Sequence, residues 1–282
     1  MDQLNNPFQP PSADISPPEE TFGHGTLLSK PRQVAMMRSW LWYRLSYRLL
    51  IKRPGLLMGS TFLVLLLTVG LASALALPLA GLFPGIQLVF GLIVTALSLC
   101  LYAGMMHIAN QIEQGKDTRL ADLFAFVSPH IMTAFALALI YQLLQFALQM
   151  LVFVAFTPYG ADPVMIFSEE GFFSAASEMH PLVFTLFWML LTVVALLCFS
   201  LIWVVPALLA HHKLPIMTLM RLSAMAFLRN IPAMIVFGVL TSLFFVLASL
   251  PFLLGWIFMA PMMVLTQHFA YRDLLTSSAV SM

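Results

Sequence analysis

Charged residues divide this chain into long apolar runs. Between Arg53 and Glu113 there is no Asp, Glu, Lys or Arg, and Arg229 and Arg272 bracket a second interval of the same kind. A helix needs about 20 apolar residues to cross the hydrocarbon core of a bilayer, so each interval has room for two. Pro78, Gly81, Pro84 and Gly85 cluster where the first interval should turn, and Pro251 divides the second. Two further apolar runs follow the polar loop 110–122 and the acidic stretch 162–178. The pattern predicts spans at residues 55–77, 86–109, 130–156, 182–209, 232–250 and 252–270. The expected fold is an all-α polytopic transmembrane bundle of six spans, arranged as three hairpins.

A shorter pattern precedes each outgoing span. Residues 44–54 open on Arg44-Leu45-Ser46 and stop at Pro54; residues 119–129 open on Arg119-Leu120-Ala121 and stop at Pro129. Residues 221–232 open on Arg221-Leu222-Ser223 and stop at Pro232, one residue later. Each reads as an amphipathic helix lying in the cytoplasmic membrane surface that turns, at its proline, into a span. Such a repeat makes the hairpins parallel copies about an axis along the membrane normal.

The first copy is the most basic. In the interfacial helix expected over 33–53, Arg44, Arg48 and Lys52 recur every four residues and share one face. Aromatic rings and guanidinium groups favour the headgroup layer. Trp40, Trp42, Arg44, Arg48, Lys52 and Arg53, joined by Arg221 and Arg229 of the third copy, are therefore the candidate headgroup contacts. The expected partner is anionic lipid, with another membrane protein as a second partner class.

Outside the spans, residues 1–32 read as a disordered, polar, proline-rich tail, and 276–282 as a short one. From the polar start, no cleavable signal peptide is expected. The outside loop 157–181 carries Phe167, Phe172 and Phe173, expected against the outer headgroups.

Composition agrees with the pattern. Hydrophobic residues make up 61% of the chain and charged residues 9%, against roughly 45–50% and 25% in soluble domains. A net charge of +1 supplies no basic field for nucleic acid. Cys100 and Cys198 fall inside apolar runs and read as small buried hydrophobes. If the N-terminus is inside, all thirteen Lys and Arg lie in cytoplasmic segments, whereas the outside loops carry only Asp162, Glu169, Glu170 and Glu178. That asymmetry predicts both termini on the cytoplasmic side of a bacterial inner membrane.

Candidate chemistry is sparse. Gln142, Gln145 and Gln149 lie on one face of the third span near Tyr141. Three amides facing lipid would be costly, so the face turns inward, either to hydrogen-bond between helices or to wall a polar cavity. His107, His130, His211, His212 and His268 fall at cytoplasmic span ends without metal-ligand spacing, and no carboxylate lies near them in the apolar runs. They read as interface histidines, with His211 and His212 the first pair to probe; no metal or cofactor is expected. Gly55 and Gly59 form a GxxxG, and Pro206 and Pro261 should kink the fourth and sixth spans. The chain has no Walker, HExxH or GxSxG motif and no carboxylate at membrane depth.

Ser223, Asn230 and Pro232 before the fifth span, Tyr271-Arg272-Asp273 after the sixth, and Gly115 with Leu120-Ala121-Asp122-Leu123-Phe124 in the inside loop after the second carry a resemblance. Over residues 40–275 the chain resembles a group of uncharacterised bacterial six-span inner-membrane proteins. The resemblance implies a topology and no chemistry. The expected function is that of a non-catalytic integral membrane protein, a lipid- or protein-binding scaffold or accessory factor. The alternative is a lipid or small-solute transporter whose polar cavity is lined by the third span.

Overall fold

The computed structural model describes residues 26–70, 73–74, 86–159, 180–250 and 254–277. Described residues are helical with no strand; the one extended pairing is a bridge between Leu27 and Thr276. Helix α1 spans Arg38–Leu50, α2 Pro54–Leu65 with a π turn at Leu66–Gly70, and α3 Ile86–Glu113. A 3-10 turn at Leu120–Phe124 leads into α4, Val127–Phe156. Then come α5 (Pro181–Ile202), α6 (Val205–His211), α7 (Ile216–Leu228), α8 (Ile231–Ser249) and α9 (Trp256–Leu275). The expected turn at 78–85, Pro251, most of the loop 157–181 and the tail 1–25 lie outside the described residues.

Four stretches, Val89–Glu113, Leu120–Phe156, Pro181–His211 and Ile231–Ser249, are long and apolar enough to cross a membrane. The pair α1 and α2, bent by 108°, would make a fifth if taken together as one broken span. Large side chains such as Phe62, Leu143, Leu151, Ile235 and Val239 face outward, forming a belt that water would penalise. Helix α9 differs, because its second half carries Gln267, His268, Arg272 and Asp273.

The chain turns at Pro54 because a proline tolerates the first turn of a helix and pushes its predecessor out of α geometry. Arg53 takes φ −142° and ψ 67°, and α1 meets α2 at 108°. Pro232 sits in the first turn of α8 behind Asn230 in the same way. The middle copy of the repeat departs from expectation: residues 120–124 form a five-residue 3-10 turn, and α4 starts at Val127, ahead of Pro129. Tertiary packing shortens it. Leu123 is buried against Gly104 of α3, where any Cβ would collide with the Leu123 carbonyl.

Two other breaks have local causes. Gly115 ends α3 at φ +69°, with Lys116 N–H donating to Gln111 O at 2.9 Å and Gly115 N–H to Ile112 O at 3.1 Å. This is a glycine-terminated Schellman motif, which needs the left-handed backbone. Pro206, expected to kink its span, sits in the first turn of α6, after the break that ends α5 at Ile202. There the Ser223 hydroxyl donates to Ser200 O at 2.7 Å and accepts from Val204 N–H at 3.2 Å. A continuous helix would join that amide to that carbonyl, so Ser223 occupies the missing rung.

Helix α3 is the hub, packing on α2, α4, α6 and α9. Residues 26–32, expected within a disordered tail, instead run along the end of α9. Leu28 N–H donates to Leu275 O at 2.8 Å and Arg32 N–H to Leu274 O at 2.7 Å. The last carbonyls of a helix lack intrahelical donors, and this strap supplies them.

Candidate functional site

The ends of α3, α6 and α9 converge at one end of the bundle. Glu113, the last residue of α3, accepts from Arg272 Nη1 through both oxygens at 2.7 Å. His268 Nε2 lies 3.1 Å from the same carboxylate. One turn further along α9, the Tyr271 hydroxyl meets His212 Nε2 at 2.7 Å, while the His211 ring stacks on the Tyr271 ring at 5.6 Å. The His211 and His268 rings are 6.2 Å apart. This corrects the expectation of histidines remote from any carboxylate. Glu113 ends a different span, and only folding brings it to them. His211 and His268 are buried within the bundle. His107 lies apart, its ring 5.4 Å from Phe126, which in turn stacks on His130.

Burial around His212, with no charged partner to offset it, lowers the affinity of that imidazole for a proton. Among the described residues, no three His, Cys, Asp or Glu side chains form a metal-binding group.

A second junction ties α1 to α9. Asp273 is fully buried and accepts from Arg38 Nε and Nη2, both at 2.9 Å, and from the Trp42 indole N–H at 2.9 Å. Trp42 itself is fully buried, which corrects its assignment to the headgroup layer. Its neighbours explain why: Ser39, Trp42, Tyr43 and Ser46 recur at helical spacing and face inward as one stripe. Ser39 donates to Ala233 O at 2.6 Å, and Ser46 donates to Trp42 O at 2.7 Å and meets Thr266 Oγ1 at 3.1 Å. Asn230 completes the junction, accepting from Val34 N–H at 2.9 Å and donating to Arg32 O at 3.0 Å.

The opposite face of α1 is the candidate lipid surface. Trp40, Arg44, Tyr47 and Arg48 are exposed there, as are Lys52 and Arg53 beyond its end. Arg44, Arg48 and Lys52 make no ion pair among the described residues, whereas Arg53 reaches the exposed Asp117 at 3.0 Å. Arg221 and Arg229 are exposed on and after α7.

The glutamine row lies elsewhere. Gln142, Gln145 and Gln149 are half-buried on α4, and Gln142 rests against Gly91 of α3, where an added Cβ would come within 2.8 Å of its Nε2. A cavity of about 560 Å³ opens between α2, α3, α5, α6, α8 and α9, and α4 contributes Tyr141 to its wall, not the glutamines. The glycine lets α4 bring an amide onto α3, so this part of the row serves helix contact.

Sequence reasoning missed Glu113, Arg38 and the inward role of Trp42. The one available signal was the serine and aromatic stripe of α1, which competes with its basic stripe. No protein-family model matches the chain, and no curated protein or solved structure matches it.

Proposed function

We propose that the protein is a six-span, non-catalytic membrane protein of a bacterial inner membrane. Its basic end binds anionic headgroups at the cytoplasmic surface, and it acts there as a lipid-binding scaffold. The observation that carries this reading is the exposed face of Arg44, Arg48 and Lys52, on a helix set at 108° to the one that follows. Cations without carboxylate partners, on a helix turned across the bundle, fit a plane of phosphates.

The thread supports the same reading. The strap from Thr26 pairs with Ser277, so the two ends of the described chain lie together, which calls for an even number of crossings. With α9 as the sixth crossing, its ionisable groups meet protein partners rather than lipid, through Glu113 and Arg38. The resemblance to six-span inner-membrane proteins points to a shared frame, since Ser223, Asn230, Tyr271 and Asp273 are all buried clasps.

The test is native mass spectrometry of the full-length protein released from membranes. Wild type should retain phosphatidylglycerol, and the triple substitution Arg44→Ala, Arg48→Ala, Lys52→Ala should lose most of it while keeping its thermal stability. Equal retention by both proteins would refute the headgroup reading. Labelling of a single cysteine placed at Lys213 from outside intact cells would refute the threading.

A further inference from the structure

The cavity has a composition unlike the basic end. It encloses about 560 Å³, and its wall is mostly apolar and holds no Asp, Glu, Lys or Arg. Six hydroxyl or amide side chains line it: Thr61 from α2, Thr95, Ser98 and Tyr102 from α3, Tyr141 from α4 and Gln267 from α9. Thr61 returns its hydroxyl to Leu57 O, as Thr68 and Ser200 do to backbone carbonyls elsewhere, whereas among the described residues the other five make no hydrogen bond. These five are half-buried and line one cavity, so a ligand or water there supplies the bonds that the protein does not. The indole N–H of Trp203 in the same wall is buried without a partner among the described residues, at a cost that an acceptor in the cavity would remove.

The size and position of the cavity narrow the choice. Ligand pockets run from about 300 to 1,000 Å³, so this one takes a drug-sized body and not a whole two-chain lipid. Val64, Leu99 and Trp203 are buried at its inner side, while Leu65, Phe199 and Trp256 also reach the outer apolar belt. Trp256 is anchored by its indole N–H donating to Ser249 Oγ at 2.9 Å. A ligand can therefore seat its polar part inside and leave its hydrocarbon chain in the bilayer. Without a charged side chain in the wall, a phosphate or carboxylate head would be stranded. Hydroxyl and amide donors suit carbonyl and hydroxyl oxygens.

We infer that this cavity is a binding site for an uncharged, oxygen-bearing lipid head, with the lipid tail leaving sideways between Leu65, Phe199 and Trp256. It is separate from the anionic headgroup surface and stands without it. Two sources share the head chemistry, a glyceride and a quinone, and they serve as separate probes.

The experiment uses the full-length protein in phosphatidylcholine nanodiscs. Tryptophan fluorescence and melting temperature are followed while dioleoylglycerol, decylubiquinone or, as the charged control, dioleoyl phosphatidic acid is added. The expected result is saturable binding of at least one neutral probe, whichever responds naming the source, and none of phosphatidic acid. The double variant Tyr102→Phe, Gln267→Met keeps the volume and should weaken that binding at least tenfold. Ser98→Phe, which fills the cavity, should abolish it, with unchanged elution and melting in the absence of probe certifying each fold. No saturable response to either neutral probe overturns the inference. So does equal response to phosphatidic acid, or unaltered affinity in a variant that folds. Loss of phosphatidylglycerol retention on changing Arg44, Arg48 and Lys52 leaves this result untouched, so the two proposals fail separately.

Discussion

The indole N–H of Trp42 donates to the carboxylate of Asp273 at 2.9 Å, across 231 residues of sequence, and both side chains are fully buried. Arg38 closes the same carboxylate from the other side, and the pair joins the first described helix to the last. A buried carboxylate with three donors is a fixed point, because each donor removed leaves a charge less compensated.

Replacing Asp273 by Ala strips Arg38 and Trp42 of their shared acceptor and should cost about 3 kcal/mol of stability, as the breaking of buried pairs does. Trp42→Phe removes one donor and keeps the ion pair, so its cost should be nearer about 1 kcal/mol. Thermal unfolding of the purified full-length variants checks both, and the order of the two matters more than their size.

Ser223→Ala should act at a distance along the chain. Without the hydroxyl, Ser200 O and Val204 N–H either face each other unbridged or draw together and straighten the break. Hydrogen exchange at the Val204 amide reads the outcome: faster exchange reports the unbridged break, and slower exchange a re-formed helical rung. The cost in the first case should be about 1–3 kcal/mol.

His212 predicts a pH dependence of stability. Burial lowers its proton affinity in the fold, so between the ordinary histidine value, about 6.5, and its lowered folded value the unfolded chain binds more protons. Stability is then full above the ordinary value and falls as the pH drops through that window. Melting temperatures measured from neutral pH downward should show this slope in wild type. His212→Gln, which does not titrate there, should reduce it.

Two glycines of α3 should respond differently to alanine. Gly104→Ala drives a methyl into the Leu123 backbone, which cannot move without displacing the 3-10 turn, and folded protein should be largely lost. Gly91→Ala meets only the end of the Gln142 side chain, which can rotate away, and should cost less than about 1.5 kcal/mol. Yields of monodisperse protein after purification distinguish them.

What the sequence determined by itself is what neighbours along the chain decide. Apolar runs set where long helices stand, because bilayer hydrocarbon tolerates no exposed backbone polar groups. Pro54, Pro206 and Gly115 set where helices begin, break and stop, because backbone sterics act within a few residues. Only the tertiary structure decided which stripe of α1 faces inward: Trp40 and Trp42 are chemically identical, yet one is exposed and the other buried against Asp273. The partnership of Glu113 with Arg272, across 159 residues, belongs to the same class, as does the cavity that takes Tyr141 and leaves the glutamine row outside. A side chain's partner is set by which helices pack together, and that choice is a sum over the whole bundle which no local pattern contains.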